Sequence, residues 1–124
     1  MVNFKGSNVF RMRIILFAFF CLLQTPTVEV LEKPQYLTLV ERGYQVIDVR
    51  TPEEFEAGHI EGALNINVKA AEFVDEIQKL SKTDTLLVYC RSGRRSAYAA
   101  QVMVSFGFRK IYDLEGGFLN WESE

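Results

Sequence analysis

Cysteine is scarce in this sequence, and this scarcity limits what its thiols can do. Two are present: Cys21 in an apolar amino-terminal segment, and Cys90 in the body of the chain. If the amino-terminal segment is removed as a leader, Cys90 has no partner for an intramolecular disulfide. A lone cysteine in an exported domain is either an inert buried thiol or a reactive one.

An excess of positive charge is also missing from the main part of the chain. The formal net charge is −2, and residues 1–27 hold three basic residues and no acidic one. From Val28 onward, 11 Lys and Arg residues stand against 16 Asp and Glu residues, a net charge of −5. Because phosphate contacts need a basic face, this acidic composition argues against general nucleic-acid binding.

The sequence contains no apolar run of the length that a membrane-spanning helix needs. Residues 14–23 form an apolar run of ten, whereas a span takes about 20. A basic stretch followed by ten apolar residues is typical of a secretory signal, although no A-x-A cleavage pattern follows. We predict a leader at residues 1–27, starting at Met1 or Met12, and an exported domain at residues 28–124. An uncleaved anchor at residues 14–23 and a buried element of a cytoplasmic protein are the alternatives.

Internal repeats and long linkers are absent too, and 124 residues suffice for one domain. The apolar pattern predicts strands at residues 44–49, 63–68, 85–89 and 110–114. It predicts helices at residues 35–42, 52–57, 70–80 and 96–106, and a last helical turn that contains Trp121. Strands separated by helices indicate right-handed β-α-β units. We therefore predict an α/β fold, with a central, mostly parallel sheet flanked by helices on both faces.

Two of these elements carry the clearest signals. The second helix begins with Thr51 as N-cap, Pro52 at its first position and Glu54 to close a capping box. Residues 85–89 form a continuous apolar run, which is typical of a strand covered on both faces. Cys90 follows this strand directly, at the carboxyl end where α/β folds bind ligands.

The loop from this strand to the next helix is the candidate site. Its residues are Cys90, Arg91, Ser92, Gly93, Arg94, Arg95 and Ser96. Gly93 permits a curled backbone whose N–H groups point inward, and the following helix adds its positive end. Such an anion cradle favours the nucleophilic thiolate, and arginine forks suit an oxyanion substrate. We predict that Cys90 is the nucleophile and that residues 91–96 bind the substrate. The alternative is that Cys90 is an inert buried thiol.

This loop and two other segments resemble the rhodanese family. The amino-terminal match comprises D-V-R at 48–50, E-F at 54–55 and G-H-I-E-G-A at 58–63. The second match is the loop at residues 90–96. The carboxyl-terminal match is G-G at 116–117 with Trp121. Their order and spacing agree with the family from about Gln35 to the end of the chain. The leader before a single small domain resembles the periplasmic thiosulfate sulfurtransferases of bacteria.

The resemblance implies a rhodanese-like fold and a mechanism. Cys90 would attack the outer sulfur of thiosulfate or a similar small anionic donor, release sulfite and keep the sulfur as a persulfide held by loop N–H groups. Cyanide or a cellular thiol would then accept the sulfur. The resemblance implies no metal and no organic cofactor. We also predict a monomer and, from the leader, a periplasmic location, with membrane contact through the leader alone.

Three other functions could use the same loop. Related phosphatases use Cys-x5-Arg, but position 96 is Ser, and Arg95 gives the shorter Cys-x4-Arg, which suits a single terminal sulfur better than a phosphate. A non-catalytic module that carries persulfide sulfur between partners would need the same cysteine. A thiol sensor would use the same thiolate, and would be oxidised by peroxide faster than it transfers sulfur.

Residues outside the loop receive supporting roles. Asp48 and Arg50 end a strand and are predicted to form an ion pair behind the site. The only histidine, His59, is predicted to make a structural hydrogen bond. Trp121 is predicted to pack near the terminus. Helical spacing assigns three further side chains to the core: Tyr98, Val102 and Phe106.

Overall fold

A computed structural model describes residues 25–124. The predicted apolar leader run, both start positions and Cys21 lie outside the described residues. The described elements, in chain order, are β1 (Thr27–Leu31), α1 (Lys33–Glu41), β2 (Gln45–Asp48), α2 (Pro52–Ala57), β3 (Leu64–Asn65), α3 (Phe73–Gln78), β4 (Thr85–Tyr89), α4 (Arg94–Ser105), β5 (Lys110–Leu114) and α5 (Gly117–Glu122). Within residues 25–124, no helix combines the length and apolarity that crossing a membrane requires.

The five strands form one sheet in the order β1-β5-β4-β2-β3, and every neighbouring pair is parallel. Parallel neighbours follow from the helical crossovers between successive strands. β4 occupies the centre, between β5 and β2. The predicted α/β fold with a parallel sheet and flanking helices is therefore confirmed.

Helices bury both faces of this sheet. On one face, Ile77 of α3 and Met103 of α4 pack in a cluster with Val88 of β4. On the other face, Tyr36 of α1 packs in a second cluster with Tyr89, against which α5 also packs. Double coverage explains why residues 86–89 of β4 are at most 1% exposed. The central strand thus places Cys90 at the carboxyl end of the sheet, directly after a strand that is buried on both faces.

Two strands differ from the prediction. β1 was not predicted. Its first four residues alternate as T-V-E-V, but so short a run, exposed or half-buried at the sheet edge, gives a weak signal. β3 has two residues rather than the predicted six. Beyond Asn65, Ile66 N–H still bonds Asp48 O at 2.9 Å and Val68 N–H bonds Val49 O at 3.1 Å, so the chain continues alongside β2 without forming a regular strand.

The core face of α4 was predicted wrongly at Tyr98, whose side chain is 65% exposed. The buried positions of this helix are Ser96, Ala99, Ala100 and Met103, which have no exposed surface. Small alanines let the helix approach the sheet closely, and a tyrosine ring has no room there. The other two predicted side chains, Val102 and Phe106, are partly buried and pack against the core.

Candidate active site

The Cys90 thiol lies at the bottom of the loop between β4 and α4. The residue is 1% exposed, and its Sγ accepts a hydrogen bond from the Gly93 backbone N–H at 3.0 Å. The Ser96 hydroxyl oxygen accepts a hydrogen bond from the Cys90 thiol at 3.4 Å, and the hydroxyl donates to Gly93 O at 3.1 Å. The predicted loop therefore folds back on its own cysteine, and a negative charge on sulfur would meet an N–H donor.

Gly93 is the residue that makes this fold-back possible. Its φ angle is +113°, a region that side chains with a Cβ rarely adopt. A Cβ built on Gly93 meets no atom within 4 Å, so the need for glycine is conformational rather than steric. Gly93 is also the N-cap of α4, a helix of 12 residues, so the positive end of the helix dipole lies beside the sulfur.

The loop is held from the other side by the start of α5. Phe118 N–H donates to Cys90 O at 2.8 Å, and Leu119 N–H donates to Arg91 O at 3.1 Å. Gly117 allows this approach, because a Cβ there would lie 2.6 Å from the backbone of Arg91 and Cys90. The sequence identified the Gly116-Gly117 pair only as part of the carboxyl-terminal match, whereas the structure shows that Gly117 contacts the loop backbone.

The three loop arginines have different surroundings. Arg95 makes a two-pronged ion pair with Glu54, with N–O distances of 2.7 and 2.8 Å. Arg91 and Arg94 are exposed beside the loop. Arg95 is thus paired with a residue of α2. Arg91 and Arg94 are the loop arginines that an anion in solution can reach.

Glu54 connects this ion pair to the start of α2. Its carboxylate accepts the Thr51 N–H at 3.0 Å, while the Thr51 hydroxyl accepts the Glu54 N–H at 3.3 Å, which completes the predicted capping box. The hydrogen bonds from Arg95, and further those from Thr51, lower the pKa of Glu54 to about 2, although burial acts in the opposite direction. Glu54 therefore stays ionised throughout the neutral range.

The structure places Asp48 and Arg50 in a buried ion pair of 2.7 Å. Tyr89 OH donates to Asp48 Oδ2 at 2.6 Å, and the Arg50 guanidinium carbon lies 4.4 Å from the centre of the Phe118 ring. Burial alone would lower the pKa of Arg50, but hydrogen bonding and the charge of Asp48 raise it overall. Burial, with the hydrogen bond to Asp48, raises the pKa of Tyr89. The network ties β2, β4 and α5 together behind the loop.

A cleft of about 230 Å³ opens beside the loop. It is lined by Arg50, Glu54, Ala57, Gly58, Arg91, Phe118, Leu119 and Glu122. Its wall combines both signs of charge with an apolar ring, and its volume admits a small molecule rather than a folded partner.

The remaining singled-out residues lie away from the sulfur. His59 Nδ1 is 2.8 Å from Phe55 O, and the two rings stack with centroids 3.7 Å apart. Trp121 packs edge-on against Tyr36. Among residues 25–124, no cluster of three or more His, Cys, Asp or Glu could hold a metal ion.

Sequence reasoning missed several residues that build the site. Tyr89 appeared only as part of an apolar run, and Phe118 carried no signal. Asp113 of β5 is 3% exposed, and its Oδ1 has no hydrogen-bond partner within the described part of the chain. A single aspartate inside the apolar stretch 110–114 was the signal that could have identified it.

Comparison with known proteins agrees with this geometry. Residues 32–124 match the model of the Rhodanese-like domain family. Thiosulfate sulfurtransferase 18 of Arabidopsis thaliana is 37% identical over 99 residues, which cover 70% of this chain and 73% of that protein. Thiosulfate sulfurtransferase GlpE of Pseudomonas aeruginosa is 37% identical over 98 residues, covering 78% of this chain and 86% of that protein.

A solved structure shows the same similarity at the level of the fold. The human single-domain sulfurtransferase TSTD1 superposes with a TM-score of 0.64 and 28% identity, covering 77% of this chain and 97% of that one. The family match spans all the described strands but β1, together with the Cys90 loop. The chain therefore belongs to the rhodanese-like family and carries a single rhodanese-like domain.

Proposed function

We propose that this protein is a sulfurtransferase that moves sulfane sulfur from thiosulfate or a similar small anion to a thiophilic acceptor through a persulfide on Cys90. The contact that carries the proposal is the 3.0 Å hydrogen bond from Gly93 N–H to Cys90 Sγ. Two relatives named thiosulfate sulfurtransferase support sulfur transfer as the general activity. The chemistry of the loop supports the finer mechanism that we propose.

The first half-reaction loads the enzyme. After the thiol proton is lost to solvent, the Cys90 thiolate attacks the outer sulfur of thiosulfate, and a bond forms between the two sulfurs. The bond from the outer sulfur to the sulfonate sulfur breaks, and sulfite leaves with that electron pair. Cys90 is left with one additional sulfur, as a persulfide.

The second half-reaction regenerates the enzyme. A nucleophilic acceptor attacks the terminal sulfur of the persulfide, and the sulfur–sulfur bond breaks with its electrons returning to Cys90. Cyanide gives thiocyanate, and a thiolate gives a new persulfide. No net oxidation is needed, because the sulfane sulfur is passed on in the same oxidation state.

The loop favours these steps through preorganised charge. Gly93 N–H and the start of α4 stabilise negative charge on the sulfur before and after loading. Exposed Arg91 and Arg94 give the loop a positive surface on an otherwise acidic domain, and this surface attracts an anionic donor. The charge of Arg95 is largely offset by Glu54, so its part is to fix α4 against α2.

The test is turnover of thiosulfate and cyanide, measured as thiocyanate formed, with persulfide on Cys90 followed by mass spectrometry. We expect Cys90→Ser to lose both turnover and loading, since no other described thiol is present. Cys21→Ser is the matched control and should retain turnover, because only Cys90 sits in the loop.

Three outcomes separate the alternatives. Persulfide loading without turnover would assign the protein a carrier role. Reversible oxidation of Cys90 by mild peroxide, faster than sulfur loading, would favour a thiol sensor. Absence of loading, turnover and oxidation would refute all of these functions.

A further inference from the structure

Asp113 is a buried carboxyl group that the proposed sulfur transfer does not use. β5 places it opposite Val88 of β4, and it lies two residues after Ile111, so its side chain faces the same side of the sheet as α4. Its Oδ1 has no partner within residues 25–124, and the residue is 3% exposed. Because an unpartnered buried oxygen costs folding free energy, its presence beside the site calls for a functional explanation.

Ser96 connects this carboxyl group to the reactive sulfur. It lies in the first turn of α4, is fully buried, and holds its Oγ 3.4 Å from Cys90 Sγ. The same hydroxyl donates to Gly93 O at 3.1 Å. Burial raises the pKa of the Asp113 carboxyl, and hydrogen bonding from Ser96 lowers it in part. A hydroxyl has one hydrogen to donate, so Gly93 O and Asp113 compete for it, and a Cys90 thiolate would compete for it as well.

We propose that Asp113 is a positioning residue that sets, through Ser96, the fraction of Cys90 present as thiolate. When Asp113 is ionised, its carboxylate attracts the Ser96 hydrogen, and the Ser96 oxygen accepts the hydrogen of the Cys90 thiol. When Asp113 is neutral, it donates to the Ser96 oxygen and leaves the Ser96 hydrogen for the Cys90 thiolate. The negative charge of ionised Asp113 disfavours the thiolate as well, so both effects have the same sign.

The surroundings of Asp113 allow it to change charge near neutral pH. Burial raises its pKa to about 6, and hydrogen bonding from Ser96 and the Leu114 N–H offsets part of this rise. Among the elements packed around it, β1 places apolar Val30 in register, and α4 supplies Ser96. Arg95 of α4 is paired with Glu54.

Two titratable groups lie near Asp113. Cys90 follows the end of β4 on the same face of the sheet, and Tyr36 of α1 lies on the opposite face, where its hydroxyl donates to Val88 O. Burial and then the charge of Asp113 raise the pKa of Tyr36 well above its ordinary value, so Tyr36 stays protonated. Cys90 is therefore the titratable group that shares a face of the sheet with Asp113. The consequence for turnover rests on the proposed function, whereas the effect on the thiol does not.

The experiment is the rate of Cys90 alkylation by iodoacetamide from pH 5 to pH 10, in protein lacking Cys21 by the change Cys21→Ser. Asp113→Asn keeps the shape but removes the charge. We expect it to speed alkylation about threefold or more between about pH 6 and pH 8. The two rates should converge below about pH 5, where wild-type Asp113 is neutral as well, and again near the top of the range, where a thiol is ionised in both proteins. Thermal unfolding at pH 7 checks that each variant is folded.

Ser96→Ala tests the path. In this background we expect Asp113→Asn to change the alkylation rate far less, because the shared hydroxyl is gone. Exposed Asp84→Asn is the matched control and should leave the profile unchanged. A wild-type profile in Asp113→Asn, or an equally large effect in the Ser96→Ala background, would overturn the proposal. Because alkylation needs no sulfur donor, a failure of sulfur transfer would be recognised separately.

Discussion

The Gly93 N–H reaches the Cys90 sulfur because the backbone at Gly93 turns with a φ of +113°. The same turn makes Gly93 the N-cap of α4, so a single residue provides both the donor and the entry to the helix. The reactivity of the thiol thus depends on backbone geometry as much as on neighbouring side chains. A change that leaves every side-chain contact intact can therefore still disable the site.

Gly93→Ala tests this dependence. A Cβ at positive φ costs about 1 kcal/mol or more, and relief of that strain would rotate the N–H away from the sulfur. We expect a loss of thiocyanate formation of more than about tenfold, the effect of losing one preorganised donor.

The matched control for this change is Gly43→Ala. Gly43 has a φ of +88° and, like Gly93, has no atom within 4 Å of a built Cβ. It lies at the end of α1, remote from the sulfur, so we expect similar destabilisation with turnover retained. Equal loss of turnover in both variants would show that the effect comes from stability alone.

At the scale of elements, the loop is clamped between two helices, α5 and α2. α5 contacts the backbone of Cys90 and Arg91, and α2 contacts Arg95 through Glu54. Neither helix exceeds six residues, so each depends on these contacts for its own stability. Loop geometry and helix docking are consequently one cooperative arrangement.

Gly117→Ala should disrupt the α5 side of this clamp. Its Cβ would lie 2.6 Å from the Arg91 backbone, which cannot yield without moving the loop. We expect a loss of about 1–3 kcal/mol in the free energy of unfolding, measured with urea, and a parallel loss of sulfur transfer. Gly62→Ala shares the positive φ without any contact within 4 Å, and should keep its activity.

Glu54→Gln should weaken the α2 side in a pH-dependent way. The folded pKa of Glu54 is about 2 and its ordinary value is 4.5, so the ion pair stabilises the fold fully above pH 4.5 and is lost as pH falls towards 2. The side chains of Arg95 and Glu54 are 20% and 29% exposed. We therefore expect Glu54→Gln to lower the free energy of unfolding by about 1 kcal/mol at pH 7.

Urea unfolding of both proteins from pH 7 down to pH 2 measures this difference. The difference in the free energy of unfolding between wild type and Glu54→Gln should disappear over the lower half of that pH range. Exposed Glu53→Gln is the control and should show no comparable gap. A gap that stays constant down to pH 2 would contradict the ion pair as its source.

At the scale of the whole molecule, local signals predicted the fold well. Alternating apolar runs predicted four of the five described strands, and the capping signals at Thr51 and Glu54 predicted the start of α2. These signals lie within a few residues of one another, so a single sequence contains them. The position of Cys90 followed in the same way from its place after a buried strand.

Contacts between distant segments could not be predicted. The Arg95–Glu54 pair joins residues 41 positions apart, so three neighbouring arginines looked equivalent in sequence. The function of Gly117 depends on how closely α5 approaches the loop, and that of Asp113 depends on the order of strands in the sheet. Tyr98 was misassigned because periodicity finds the apolar side of a helix without showing how near the sheet lies.

The parallel sheet also has a practical consequence for handling the protein. β1 and β4 run in the same direction. The amino ends of the strands, where β1 begins, therefore lie at the opposite end of the sheet from Cys90, which follows the carboxyl end of β4. A five-residue strand spans about 17 Å. An immobilisation tag attached just before Thr27 would therefore hold the domain on a support with the Cys90 loop facing the solvent. Sulfur donors and acceptors could then reach the loop.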